Sequence, residues 1–198
     1  MRIIEKLGED NIYHIYNRGI NGEDIFREKR NYYYFLKQYH KYCSPFLDTY
    51  AYVLLKNHFH LLVKVKPAVW ELSYMDGHII QRHATKQLSH FFNSYAQSFN
   101  KAYKRHGKLF EEPFRRKEVK TDAYFTGLIY YLHQNPQHHG FVNDFREWEF
   151  SSYQDMIAEN SHLVNYQQVI EWFGSKQYFT EAHLLQLDIG QIGDFIIE

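Results

Sequence analysis

One cysteine in 198 residues, Cys43, excludes an internal disulfide and leaves no thiolate set for a zinc site. No basic-then-apolar segment at the N-terminus suggests export, and no apolar run nears the roughly 20 residues of a membrane helix. The expectation is a soluble, cytoplasmic chain with no membrane partner. Neither charge is in excess: Lys plus Arg and Asp plus Glu are 23 each, so affinity for a polyanion must come from local patches. Nucleotide-cradling glycine motifs, internal repeats and low-complexity segments are also missing. Aromatic residues, by contrast, are plentiful, with 18 Tyr and 16 Phe; rings fill cores and also stack on unpaired bases.

The central stretch is LDTYAYVLLKNHFHLLVKVK, residues 47–66. A strand to about Leu55, a tight turn at Lys56-Asn57 and a second strand to Lys66 make a hairpin that Pro67 ends. Alternation puts Phe59, Leu61, Val63 and Val65 on one face of the second strand and His58, His60, Lys64 and Lys66 on the other, with Leu62 breaking the polar face. Two histidines two apart on a strand lie roughly 6–7 Å apart at Cα, so both imidazoles can reach one cation. With the lysines, that face suits a polyanionic ligand.

Around the hairpin, NIYHIYNR (11–18) alternates as a first strand closed by Gly19. Tyr32, Phe35, Leu36 and Tyr39 give a helix over 29–43, and Leu88, Phe91, Phe92, Tyr95, Phe99 and Tyr103 a longer one over about 85–105. Residues 67–80 have no period and are taken as a loop or short helical turn. A strand near 114–120 carries Arg115, Arg116 and Lys117; a helix from Thr121 is expected to stop at about Gln134, ahead of Pro136. NYQQVIEWF suggests a further helix. This order predicts an α+β, ferredoxin-like (βαββαβ) antiparallel sheet with two helices on one face and an added helix on the other.

In that added helix Phe125, Leu128, Ile129 and Leu132 form the core stripe. Tyr131 and Asn135, four apart, flank it and can be directed at the His pair; Tyr130 and Gln134 share the spacing but fall nearly opposite the stripe, toward solvent. Arg18, Lys64, Lys66, Arg115, Arg116 and Lys117 are candidate phosphate contacts. His138 and His139, after Pro136, read as surface residues.

KNHFHLLV on a strand, YLHQNP on a later helix, WEFSSY after it and YHIYNRG near the start together resemble the single-tyrosine HUH transposases. The branch is that of the REP-associated tyrosine transposase-like proteins, over about residues 10–155. The resemblance implies a transposase-like domain at 1–155 with a helical C-terminal extension at 156–198. It implies that His58, His60 and Asn135 bind a divalent ion, Mg2+ or Mn2+, and that Tyr131 attacks single-stranded, hairpin-containing DNA to give a 5′-phosphotyrosine intermediate and strand transfer. One branch uses glutamine as third ligand, which keeps Tyr130 with Gln134 as the fallback pair. A homodimer is possible in such a family. The alternative is a non-catalytic single-stranded nucleic-acid-binding module on the same fold, stacking bases on sheet aromatics.

Overall fold

The alternating stretch near the N-terminus forms β1 (Ile12–Arg18), and the aromatic helix that follows is α1 (Lys29–Cys43). The computed structural model describes residues 7–67, 69–72 and 79–185. The hairpin forms β2 (Leu47–Leu54) and β3 (His58–Val65). Next come β4 (Val69–Leu72), β5 (Ile79–Arg82), α2 (Ala84–Ala102), β6 (Arg115–Val119) and α3 (Asp122–His138). Helices α4 (Tyr153–Ala158), α5 (Tyr166–Phe173) and α6 (Lys176–Leu184) complete the described chain.

Strands β2, β3, β1 and β6 lie in that order in one sheet, every neighbour antiparallel. This is the ferredoxin-like arrangement read from the sequence. One face packs on α1 and α2 through a lattice of rings: Phe35 lies 5.0 Å from Phe59, 4.7 Å from Phe91 and 5.1 Å from Tyr95, centroid to centroid. Much of the aromatic content is thereby spent on the core. Burying each such ring contributes about 1.5–3 kcal/mol.

The second face is covered by α3, whose N-cap Thr121 accepts a hydrogen bond from the Tyr124 N–H. Phe125 meets Tyr50 at 5.3 Å and Trp172 of α5 at 3.7 Å. Leu62, which interrupts the polar alternation of β3, is fully buried on this side. It belongs to a second apolar layer, so the sheet is a sandwich filling between two helical layers.

WEFSSY lies along the outer edge of β2. The Trp148 indole donates to the Leu54 carbonyl at 3.0 Å, the Leu54 N–H to Phe150 O at 2.9 Å, and the Ser152 N–H to Tyr52 O at 2.9 Å. The Ser152 hydroxyl accepts from the Tyr52 N–H at 2.9 Å and lies 2.8 Å from His133 Nε2 on α3. His133 Nδ1 in turn meets His183 Nε2 at 2.8 Å, and His183 Nδ1 meets Phe179 O at 2.7 Å. A carbonyl only accepts, so the tautomers run one way: Ser152 donates to His133, His133 to His183, His183 to Phe179. This buried chain joins the sheet edge, α3 and α6.

Two segments differ from the sequence expectation. Residues 69–72 and 79–82 pair as an antiparallel ribbon rather than a loop or helical turn; residue 68 and residues 73–78 of that stretch lie outside the described residues. Helix α3 also continues through Pro136 to His138. A proline removes one N–H and crowds the carbonyl four residues back, but near a C-terminal end little helix remains to be lost. The His139 N–H still reaches Asn135 O at 3.0 Å, and the Phe141 N–H reaches Pro136 O at 2.9 Å.

Candidate active site

His58 and His60 project from β3 toward α3, where Tyr131 packs its ring edge-on to His60 at 5.7 Å. Asn135, one turn on, is fully buried beside them. The four-residue spacing on the helix and the two-residue spacing on the strand thus converge within one chain.

Each imidazole is held at Nδ1. His58 Nδ1 lies 2.8 Å from Asn57 Oδ1, an acceptor, which places the proton on Nδ1 and the lone pair on Nε2. His60 Nδ1 lies 2.9 Å from Nε2 of His14, a β1 residue. The Nε2 atoms of His58 and His60 and both amide atoms of Asn135 are buried without a hydrogen-bond partner. Asn135 approaches His58 closely enough to favour its protonated form, although neither amide atom completes a bond of good geometry.

Burial, the nearby His139 and the Arg18 charge outweigh that effect and lower the His58 pKa to about 4. Burial foremost, with the neighbouring imidazoles of His14, His58 and His139, pushes His60 well below its ordinary value. Both rings are therefore neutral at pH 7, the form that ligates metals. Among the described residues no group of three His, Cys, Asp or Glu side chains is placed to hold a metal; the Asn135 amide beside the two imidazoles could supply a third donor. Two imidazole Nε2 atoms and one amide oxygen, all buried without a hydrogen bond, fit a divalent ion, and without thiolates they leave room for Mg2+ or Mn2+.

The pair opens on a cleft of about 260 Å3 lined by Tyr16, Arg18, Asn57, Arg115, His139 and Phe141 as well as both histidines. Arg18 and Arg115 share one carboxylate, Glu111, at 3.0 and 3.4 Å, which leaves a net positive charge on the rim. The other candidate cations are arranged differently. Lys64 pairs with Asp10 at 3.2 Å and Lys66 with Asp48 at 3.1 Å, so the expected positive track is neutralised. Lys117 shares the histidine face but lies 5.2 Å over the Tyr124 ring. Arg116, opposite Ile15 in the register, belongs to the other sheet face and covers the Phe114 ring at 4.3 Å.

Tyr130 and Gln134 are half-buried instead of pointing freely into solvent. Tyr130 packs on Phe173 and His183 at 5.5 and 4.7 Å, and the Gln134 amide donates to His183 O at 3.3 Å. The C-terminal helices occupy their side of α3, which separates this fallback pair from the histidines.

Two residues of the site were not anticipated. His14 lies on the His60 face because β1 pairs with β3 with Tyr16 opposite His60; the alternation of IYHIYNR together with the ferredoxin-like strand order carries that signal. His139 lies 5.2 Å from His58, ring to ring. Tyr131, Asn135 and His139 are spaced by four, so His139 joins the same helix face once α3 runs past Pro136.

The architecture is thus a ferredoxin-like α+β domain whose second sheet face is closed by a tyrosine-bearing helix. Its fold is similar to a solved structure of the REP-associated tyrosine transposase bound to a REP hairpin, with a TM-score of 0.53 and 14% identity over 80% of this chain and 86% of that one. The relationship is distant and concerns the fold. No protein-family model and no curated protein sequence matches the chain.

Proposed function

We propose that this protein cleaves and rejoins single-stranded, hairpin-containing DNA with Tyr131 as nucleophile, as a transposase-like strand transferase. The observation that carries the reading is the packing of Tyr131 against His60 beside three sets of buried polar atoms that make no hydrogen bond, His58 Nε2, His60 Nε2 and the Asn135 amide. The similarity in fold to a hairpin-bound tyrosine transposase supports it. A divalent ion, Mg2+ or Mn2+, on those three side chains would supply charge neutralisation at the scissile phosphate.

Tyr131 Oη attacks phosphorus in line, the phosphorus–O3′ bond breaks, and a 5′-phosphotyrosine and a free 3′-OH result. The tyrosine gives up one proton and the departing 3′ oxygen takes one up. The phosphodiester energy stays in the covalent link, so a second 3′-OH can reverse the step and complete strand transfer. Arg18 and Arg115 at the cleft rim hold flanking phosphates. Because Tyr131 meets His60 of its own chain, the reaction does not require the homodimer that the resemblance allows. Residues 1–155 are assigned to the catalytic domain and 156–198 to a helical extension packed on it; residues 1–6 and 186–198 lie outside the described residues. No helix among the described residues is long and apolar enough to cross a membrane.

The non-catalytic alternative needs bare aromatics on an open sheet face. Helices lie on both faces, and the sheet aromatic lining the cleft is Tyr16. Incubation with labelled hairpins and Mn2+, resolved on a denaturing gel, separates the two readings. A metal-dependent protein–DNA adduct lost in Tyr131→Phe and kept in Tyr130→Phe is expected. Binding without any adduct on hairpins drawn from the host's own repeats refutes strand transfer.

A further inference from the structure

His60 differs from His58 in what holds it. Asn57 Oδ1 can only accept, so the His58 tautomer is fixed by its neighbour. The partner of His60 Nδ1 is another imidazole, His14 Nε2, and either nitrogen can carry the proton. His14 is 2% exposed, and its ring is stacked on Tyr16 at 4.7 Å and on His60 at 5.1 Å, at interplanar angles of 28° and 24°. Its own Nδ1 is buried without a partner, as is His60 Nε2.

The two tautomeric states can be compared by counting. With the shared proton on His60, its Nε2 presents a lone pair and His14 carries a buried, unpaired Nδ1–H. With the shared proton on His14, His60 carries the unpaired N–H at Nε2 and His14 Nδ1 the unpaired lone pair. Each state buries one orphan donor and one orphan acceptor, so hydrogen bonding within the pair does not choose between them. A cation at His60 Nε2 does choose, since it can bind only the first state.

We propose that His14 is a positioning residue for a divalent-cation site: it accepts the Nδ1–H of His60 and thereby holds the His60 Nε2 lone pair toward the cleft. The inference rests on the reading of His58, His60 and Asn135 as ligands. It predicts a tautomer shift across two strands when the ion binds, and it explains an imidazole buried on the second sheet face with only one of its nitrogens bonded. Loss of such an outer partner typically weakens metal binding about 10- to 100-fold.

Calorimetric titration of the full chain with Mn2+ tests it in wild type, His14→Phe, which keeps a ring without an acceptor, and His14→Gln, which restores an acceptor oxygen. Thermal melts control for folding. The expected result is a loss of about 10- to 100-fold in Mn2+ affinity for His14→Phe, with recovery of part of it in His14→Gln. Nitrogen-15 spectra of wild type loaded with diamagnetic Zn2+ should show His60 protonated at Nδ1, a readout independent of any variant's folding. Affinity within twofold of wild type in folded His14→Phe, or a His60 proton at Nε2 in the loaded protein, overturns the inference. If binding is abolished by His60→Ala yet indifferent to His14, only His14's role falls. If wild type binds no Mn2+, the ligand reading falls with it.

Discussion

Acidification from pH 7 to pH 5 should unfold this protein through its buried histidines. His14, His60, His133 and His183 are each 4% exposed or less. Burial lowers the His14 pKa to about 3 and that of His183 to about 4, and holds His60 and His133 well below the ordinary value. In the unfolded chain each returns to about 6.5. Above that value neither state binds the proton and stability is unaffected; as pH falls below it the unfolded chain takes up protons that the folded chain refuses, so stability falls. At pH 5.5, about one unit below the unfolded value, each histidine costs about 1–2 kcal/mol, and four together about 6 kcal/mol. At pH 5 the total is about 8 kcal/mol, comparable with the whole stability of an ordinary domain, about 5–15 kcal/mol. Urea melts followed by tryptophan fluorescence at pH 7, 6, 5.5 and 5 should show the unfolding free energy falling with a slope approaching about 5 kcal/mol per pH unit, at constant m. A free energy that stays flat between pH 6.5 and 5 would refute the claim that these four rings are buried and neutral.

Removing the hydroxyl that links the sheet edge to α3, in Ser152→Ala, strands the buried His133 Nε2 and Tyr52 N–H and should cost about 1–3 kcal/mol in a urea melt; an unchanged midpoint would mean the linkage is not formed. Among the basic residues, Arg18→Ala and Arg115→Ala should weaken hairpin binding and each reduce the salt dependence by about one unit. Lys64→Ala and Lys66→Ala, whose charges are already met by Asp10 and Asp48, should leave it nearly unchanged. Filter binding at several salt concentrations distinguishes the two groups, and equal effects from all four would contradict the assigned ion pairs.

Where one period dominated, the sequence was legible. The alternation around His58 and His60 gave the strand and its two faces, and the ring spacings gave α1 and α2, because each element buries a single stripe against a single layer. Tyr130 was misread because it faces a second layer, the C-terminal helices, and a one-sided pattern has no room for a second buried face; Leu62, the noted exception on the polar face, has a like cause in its burial beneath α3. Pro136 misled differently. Taken as a stop, it left His139 in a loop, whereas tertiary packing carries the helix through it and aligns His139 with Tyr131 and Asn135. His14 required strand order as well as alternation, since its meeting with His60 depends on β1 lying beside β3. Helix α4, six residues long, has too few turns for a period to stand out, and α6 buries only Phe179 and His183, too sparse a stripe to show one.

WEFSSY also settles how the sheet ends. An outer strand with free N–H and C=O groups is a template on which another chain can add a strand, the first step of many aggregation routes. Here β2 is closed at that margin by residues 150–152 and, further along, by the bridge of Thr49 to Val164. The opposite margin, β6, carries Arg115, Arg116, Lys117 and Glu118 in succession, a run of charge that deters a stranger's strand. A sheet so bounded at both margins resists growth by strand addition, and WEFSSY is the segment that closes the first of them.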